Sequence, residues 1–212
     1  MKSLPFYFTT LIILTAILFS CHNDQNDTAT ERPTVILKKN KPTSDSDSTV
    51  KSAPIINISD TISFPMHIIS IKDSASDNVR LSKKLSIIYG EKLQNCIKKN
   101  KLTISGPPMA WYKTQKAPFF FEAGFPVNKK PSKLTQSVRY KHLNSFKIIV
   151  AHYFGPYEES VQAYQYLKDW MKENKKSISS QPYEIYVDDP IGKDGKPLDP
   201  YKVQTDIVFP YH

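Results

Sequence analysis

The stretch ISSQPYEIY, Ile178 to Tyr186, places a carboxylate where a strand gains nothing from one. With a period of two, Tyr183, Ile185 and Val187 share one face, and Glu184 and Tyr186 share the other. Glutamate is a poor strand former, and a carboxylate turned inward without a partner is costly. Glu184 is therefore either a solvated surface residue or a group with a task. The tasks open to it are pairing with a bound cation and moving a proton.

The other reactive residue types form no second constellation. His67, His142, His152 and His212 show no metal-ligand spacing, and His22 falls in a polar stretch. The acidic segment DDPIGKDG lacks the alternating oxygen ligands of a calcium loop and reads as a hairpin turn. Neither a phosphate-cradling glycine loop nor a Gly-x-Ser-x-Gly elbow occurs, so neither metal nor cofactor is expected. Cys96 lies on an apolar helical face and reads as a small buried hydrophobe.

The 212-residue chain carries a formal charge of +9, spread over scattered lysine pairs such as Lys98-Lys99 and Lys175-Lys176. Only three arginines (Arg32, Arg80, Arg139) could read bases or clamp phosphates, so no nucleic-acid partner is expected.

The N-terminus carries Lys2 and then an uncharged apolar run that ends in LFSC, Leu18 to Cys21. Residues 1–20 are expected to be a secretory signal, and the sequence before Cys21 resembles the lipobox of bacterial lipoproteins. That resemblance implies lipid on Cys21, a membrane anchor and a place in the bacterial cell envelope, facing periplasm or exterior. An uncleaved anchor would also put the rest outside the cytoplasm. Residues 21–55, rich in Asn, Asp, Ser, Thr, Lys and Pro, read as a disordered tether.

Residues 56–212 are expected to fold as one domain. Strand patterns cover Phe64 to Ile71, GPPMAWYKT and Phe119 to Val127, with an amphipathic helix over Leu81 to Leu102. The order then returns. Phe146 to Phe154 reads as a strand, followed by a helix with Gly155 as cap and Pro156 in its first position. YEIYVDD and KVQTDIVFPY close the chain as strands. At an offset of 74 residues both halves read Ile-Ser-x-x-Pro-x-x-x-Tyr, and Phe-Pro closes the last strand of each. The chain is thus expected to be α+β. Two strand–helix–strand–strand modules, about 62–127 and 146–211, would form a pseudo-twofold antiparallel sheet with two helices and a central cleft. The offset sets Ala110 over Glu184 and Tyr112 over Tyr186. A shared cleft would be lined by these four, an apolar and aromatic surface with one carboxylate suited to a flat organic cation.

The phrases GPPMAWYK, FFFEAGFPV, FGPYEES, AYQYLKDWMKEN, YEIYVDDP and TDIVFPY resemble the GyrI-like small-molecule-binding family, the effector-binding domain of AraC- and MerR-type multidrug-responsive regulators. The resemblance runs from Phe64 to Tyr211. It implies two modules with a cleft between them, amphipathic and often cationic organic ligands, and a ligand-facing glutamate at Glu184. Further candidate walls are Phe121, Tyr153 and either Trp111 or Tyr112, of which strand alternation admits one and favours Tyr112. Tyr153 stands where family members often carry a histidine. No DNA-binding helices precede the domain, so a transcription factor is not expected. Two alternatives use the same surface. One is a hydrolase of reactive electrophiles, with Glu184 as base and Tyr112 or Tyr186 as proton donor. The other is a module whose cleft holds a protein partner.

Overall fold

The computed structural model describes residues 52–212. The expected signal peptide, Cys21 and most of the expected tether lie outside the described residues. Eight strands form one antiparallel sheet: β1 (Ile55–Ile62), β2 (Met66–Ala75), β3 (Met109–Tyr112), β4 (Phe119–Val127), β5 (Arg139–Leu143), β6 (Lys147–Phe154), β7 (Tyr183–Tyr186) and β8 (Gln204–Tyr211). Their spatial order is β1-β6-β8-β7-β3-β4-β2-β5. Read from the middle outward, β7-β8-β6 mirrors β3-β4-β2. The fold is α+β, and the duplication seen in the sequence is the symmetry of the sheet.

The axis can be located to a residue pair. Ala110 and Glu184, which the 74-residue offset makes equivalent, are direct partners where β3 meets β7. A residue that pairs with its own equivalent lies on the twofold axis.

Two strands carry no clear signal in the sequence, and they complete the sheet. β1 precedes the first module but pairs with β6 of the second, and β5 precedes the second module but pairs with β2 of the first. Each module is thus finished by the other's leading strand. The connections force a curl. In a flat sheet β1 and β2 would lie six strand spacings apart, about 29 Å. The four residue steps from Ile62 to Met66 reach about 14 Å at most. The same holds from Leu143 to Lys147. The two linkers meet, with the Ser63 amide donating to the Phe146 carbonyl at 2.8 Å and the Phe146 amide donating to Ser63 Oγ at 2.9 Å.

The curl gives the sheet two apolar faces. Inside it lie Ile68, Met109, Trp111, Ile148, Val150, Tyr183 and Val208, all buried. On the outer face, helices α1 (Asn78–Ile87) and α2 (Leu93–Asn100) cover β2, β3 and β4, while α3 (Val161–Glu173) covers β6 and β8. Cys96 is fully buried in the first of these clusters.

The expected single helix over Leu81–Leu102 begins earlier, where the Asp77 side chain accepts the Arg80 amide at 2.8 Å. It ends at Asn100, with Lys101 in the left-handed region at φ 49°. A π-helical turn, Ile88–Lys92, interrupts it and contains Gly90. The second helix also departs from expectation. Gly155 does not cap it. A 3-10 turn at Tyr157–Glu159 comes first, and α3 starts at Val161. Gly155 answers a different need, because a Cβ there would lie 2.6 Å from the Tyr153 hydroxyl.

Gly124 on β4 is packed directly against the backbone of β2. A Cβ at this position would sit 2.6 Å from the Ile69 carbonyl oxygen, a backbone atom with no freedom to move aside. Gly124→Ala is expected to lower stability by about 1–3 kcal/mol, the usual cost of overpacking, read as a lower urea midpoint at unchanged slope.

Candidate functional site

Glu184 has 0% relative exposure. Strand alternation on β7 turns it and Tyr186 toward the helices, while Tyr183 turns into the curl. Two hydroxyls hold its carboxylate. Tyr164 of α3 donates to Oε1 at 2.7 Å, and Tyr157 of the 3-10 turn donates to Oε2 at 3.1 Å. Among the described residues, no ion pair involves Glu184. A carboxylate is buried here with neutral donors alone.

Tyr112 and Tyr186, equivalent across the axis, join their hydroxyls at 2.8 Å. Tyr186 also meets the edge of Tyr89, with ring centroids 6.4 Å apart. Phe121 and Phe119 flank Tyr112 at 6.1 and 6.4 Å. Five tyrosines therefore surround one carboxylate, drawn from β3, β7, α3, the π turn and the 3-10 turn.

The π turn explains how Tyr89 comes to be there. Tyr89 packs on Phe125 at 5.2 Å, as Tyr164 packs on Phe209 at 5.9 Å. The two phenylalanines are equivalent, so the two tyrosines are structural counterparts. They stand 75 residues apart, whereas Leu93 and Leu167 on the same helices stand 74 apart. The extra residue of the first half is taken up by the π turn, which rotates Tyr89 onto the sheet. With Ala110 in place of a carboxylate, the Tyr89 hydroxyl donates instead to the Met109 carbonyl at 2.8 Å.

Burial raises the Glu184 pKa above its ordinary value, and the tyrosine hydroxyls around it, Tyr164 first, oppose part of that rise. The tyrosines move the same way. Burial first, and the Glu184 charge second, push Tyr157, Tyr164, Tyr186 and Tyr112 above the ordinary phenol range. Their hydroxyls stay protonated at neutral pH and serve as donors.

The expected cleft is closed directly over Glu184. Beside it lies a cavity of about 360 Å³, lined by Asp77, Gln115, Phe119, Tyr157, Glu158 and Ser160 among others. Tyr157 belongs to both places. It lines the cavity and its hydroxyl holds Glu184, so it stands between them.

The sequence-derived candidates divide clearly. Glu184, Ala110, Tyr112, Tyr186 and Phe121 gather on the helix-covered face around the axis. Trp111 turns into the curl, with Lys141 Nζ 3.1 Å above its ring centroid. Tyr153 packs in the second module's core, and its hydroxyl donates to the Pro156 carbonyl at 2.7 Å. Sequence reasoning missed Tyr89, Tyr157 and Tyr164. Tyr164 falls in an apolar helical stripe and so reads as core. Its partner lies 20 residues away on another element, a pairing that no local pattern carries.

The family model for the GyrI-like small molecule binding domain matches residues 81–212. The fold is similar to that of the EcmrR C-terminal domain, with 18% identity and a TM-score of 0.62 over 74% of this chain and 98% of that one. Against EcmrR in its complex with DNA, identity is 20% and the TM-score 0.62, over 74% of this chain and 57% of that one. The chain thus spans little more than half the length of that relative. A hydrolase from Listeria innocua has 12% identity and a TM-score of 0.50 over 73% of this chain and 91% of that one. No curated protein matches the chain.

Because Tyr164 donates to the carboxylate, Tyr164→Phe is expected to raise the Glu184 pKa further. It should also cost about 1.5–3 kcal/mol where Glu184 is ionised, the range for hydrogen bonds to charged groups. Carboxyl carbon shifts followed against pH by NMR, with melting curves at matched pH, check both.

Proposed function

The chain belongs to the GyrI-like small molecule binding domain family, and on that premise we propose that it binds an amphipathic organic cation against Glu184. The observation that carries this reading is the Glu184 carboxylate, fully buried and held by tyrosine hydroxyls, with no cationic side chain paired to it among the described residues. A buried carboxylate without a counter-charge holds a standing electrostatic cost. A ligand that supplies the positive charge removes that cost, while a neutral ligand of the same shape does not. The surrounding rings offer faces to a delocalised or quaternary cation. Entry from the neighbouring cavity requires Tyr157 to swing aside, and the ligand would take its place at Oε2. The apolar N-terminal run and Cys21 support a place for this binding in the bacterial envelope, on a lipid anchor.

The pH dependence has a definite sign. The folded state holds the Glu184 proton to higher pH than the unfolded chain does. Between the two pKa values the folded state binds more protons, so stability falls as pH rises through that window and levels off above it. Cation binding should strengthen over the same window, because the ionised form is the one that needs a partner.

The test is a titration of the full chain with a lipophilic cation and a neutral isostere, followed by tyrosine and tryptophan fluorescence. In Glu184→Gln, cation affinity is expected to fall about tenfold or more, close to 1.4 kcal/mol, with the isostere little changed. The pH dependence of melting in this window should flatten as well. Unchanged cation affinity in Glu184→Gln would remove Glu184 from the role of counter-charge.

A further inference from the structure

Inside the curl, at its polar end, three side chains from neighbouring strands stand in a chemically specific order. Ser59 Oγ on β1 lies 2.9 Å from His152 Nε2 on β6, and His152 Nδ1 lies 2.7 Å from Asp206 Oδ1 on β8. Gln204 Nε2 donates to the same Asp206 oxygen at 2.7 Å and steadies the carboxylate. This group is separate from the Glu184 site. His152 and Asp206 share the sheet face of Val150 and Val208, which line the curl, whereas Glu184 faces the helices.

We propose that Ser59, His152 and Asp206 form a nucleophilic triad able to cleave small carboxylic esters. The carboxylate at Nδ1 fixes the neutral ring as the Nδ1–H tautomer, which leaves the Nε2 lone pair to accept the Ser59 proton. The other module shows that the scaffold does not itself require this order. At the positions equivalent by register to Ser59, His152 and Asp206 stand Arg139, Lys72 and Glu122. Glu122 there accepts from Ser70 and pairs with Lys141 at 3.2 Å, two residues from other rungs of the ladder. A lysine thus takes the place of the imidazole, and an arginine the place of Ser59. The second module places an imidazole in the middle and leaves its serine partly exposed on the edge strand.

The reaction follows from the contacts. Ser59 Oγ attacks the ester carbonyl as its proton passes to His152 Nε2. The tetrahedral adduct collapses, and the alcohol leaves with that proton. Water then attacks the Ser59 acyl ester and gives a proton to Nε2. Ser59 departs, regains that proton, and a carboxylic acid is released. Asp206 stabilises the imidazolium at both stages. Asn57 stands opposite His152 on β1, exposed, and strand alternation puts it on the face of Ser59. Its amide would serve as a donor to the developing oxyanion. The site is partly open to solvent and lies on an edge strand, which suits small, exposed acyl groups.

The test treats the full chain with a fluorophosphonate probe and, separately, with p-nitrophenyl acetate. The expected result is one probe adduct, mapped by peptide mass to Ser59, and ester hydrolysis lowered about a hundredfold in Ser59→Ala and in His152→Gln. A circular dichroism melt confirms that each variant is folded. Folded wild-type protein without an adduct at Ser59 would overturn the proposal, as would hydrolysis that survives Ser59→Ala or labelling that survives His152→Gln.

Discussion

The buried carboxylate of Glu184 is the constraint around which this fold is arranged. A charge taken out of water must be answered inside the protein, and here the answer is a set of phenol hydroxyls. Phenols solvate a carboxylate without neutralising it. They also keep their protons, because the same burial and the same charge raise their own pKa values. The site is therefore a closed unit whose carboxylate has no counter-charge among the described residues.

The sheet exists to bring these groups to one axis. β3 and β7 are short, four residues each, and both are central. Longer strands on either side carry the helices that deliver Tyr89 and Tyr164. The halves agree in backbone and differ in chemistry. One helix needs a π turn to aim its tyrosine and the other does not. One strand holds a methyl group where the other holds a carboxylate.

Much of this was legible in the sequence, and the parts that were not share a physical cause. Period-two alternation put Glu184 and Tyr186 on one face, and the 74-residue offset brought Ala110 and Tyr112 to join them. β1 and β5 escaped notice because edge strands are short or mixed in pattern, and their pairing is dictated by partners about 90 and 70 residues away. Tyr157 read as the start of a helix because Gly-Pro ahead of an acidic pair is a start signal. The chain instead inserts a 3-10 turn there, which aims that tyrosine at the carboxylate. Tyr164 looked like core and is core, except at its hydroxyl.

The exchange of leading strands between modules bears on how such a molecule could arise. A single module has no partner for its own first strand, so it would be complete only as a pair that traded those strands. Two identical copies would be bound by symmetry, and the position on the axis would carry the same residue twice. Two glutamates there would face each other as adjacent strand partners, two buried like charges in one small space. Two alanines would leave no charge at all. With both copies on one continuous chain the axis can hold Ala110 on one side and Glu184 on the other, a single buried carboxylate that a pair of identical copies could not possess.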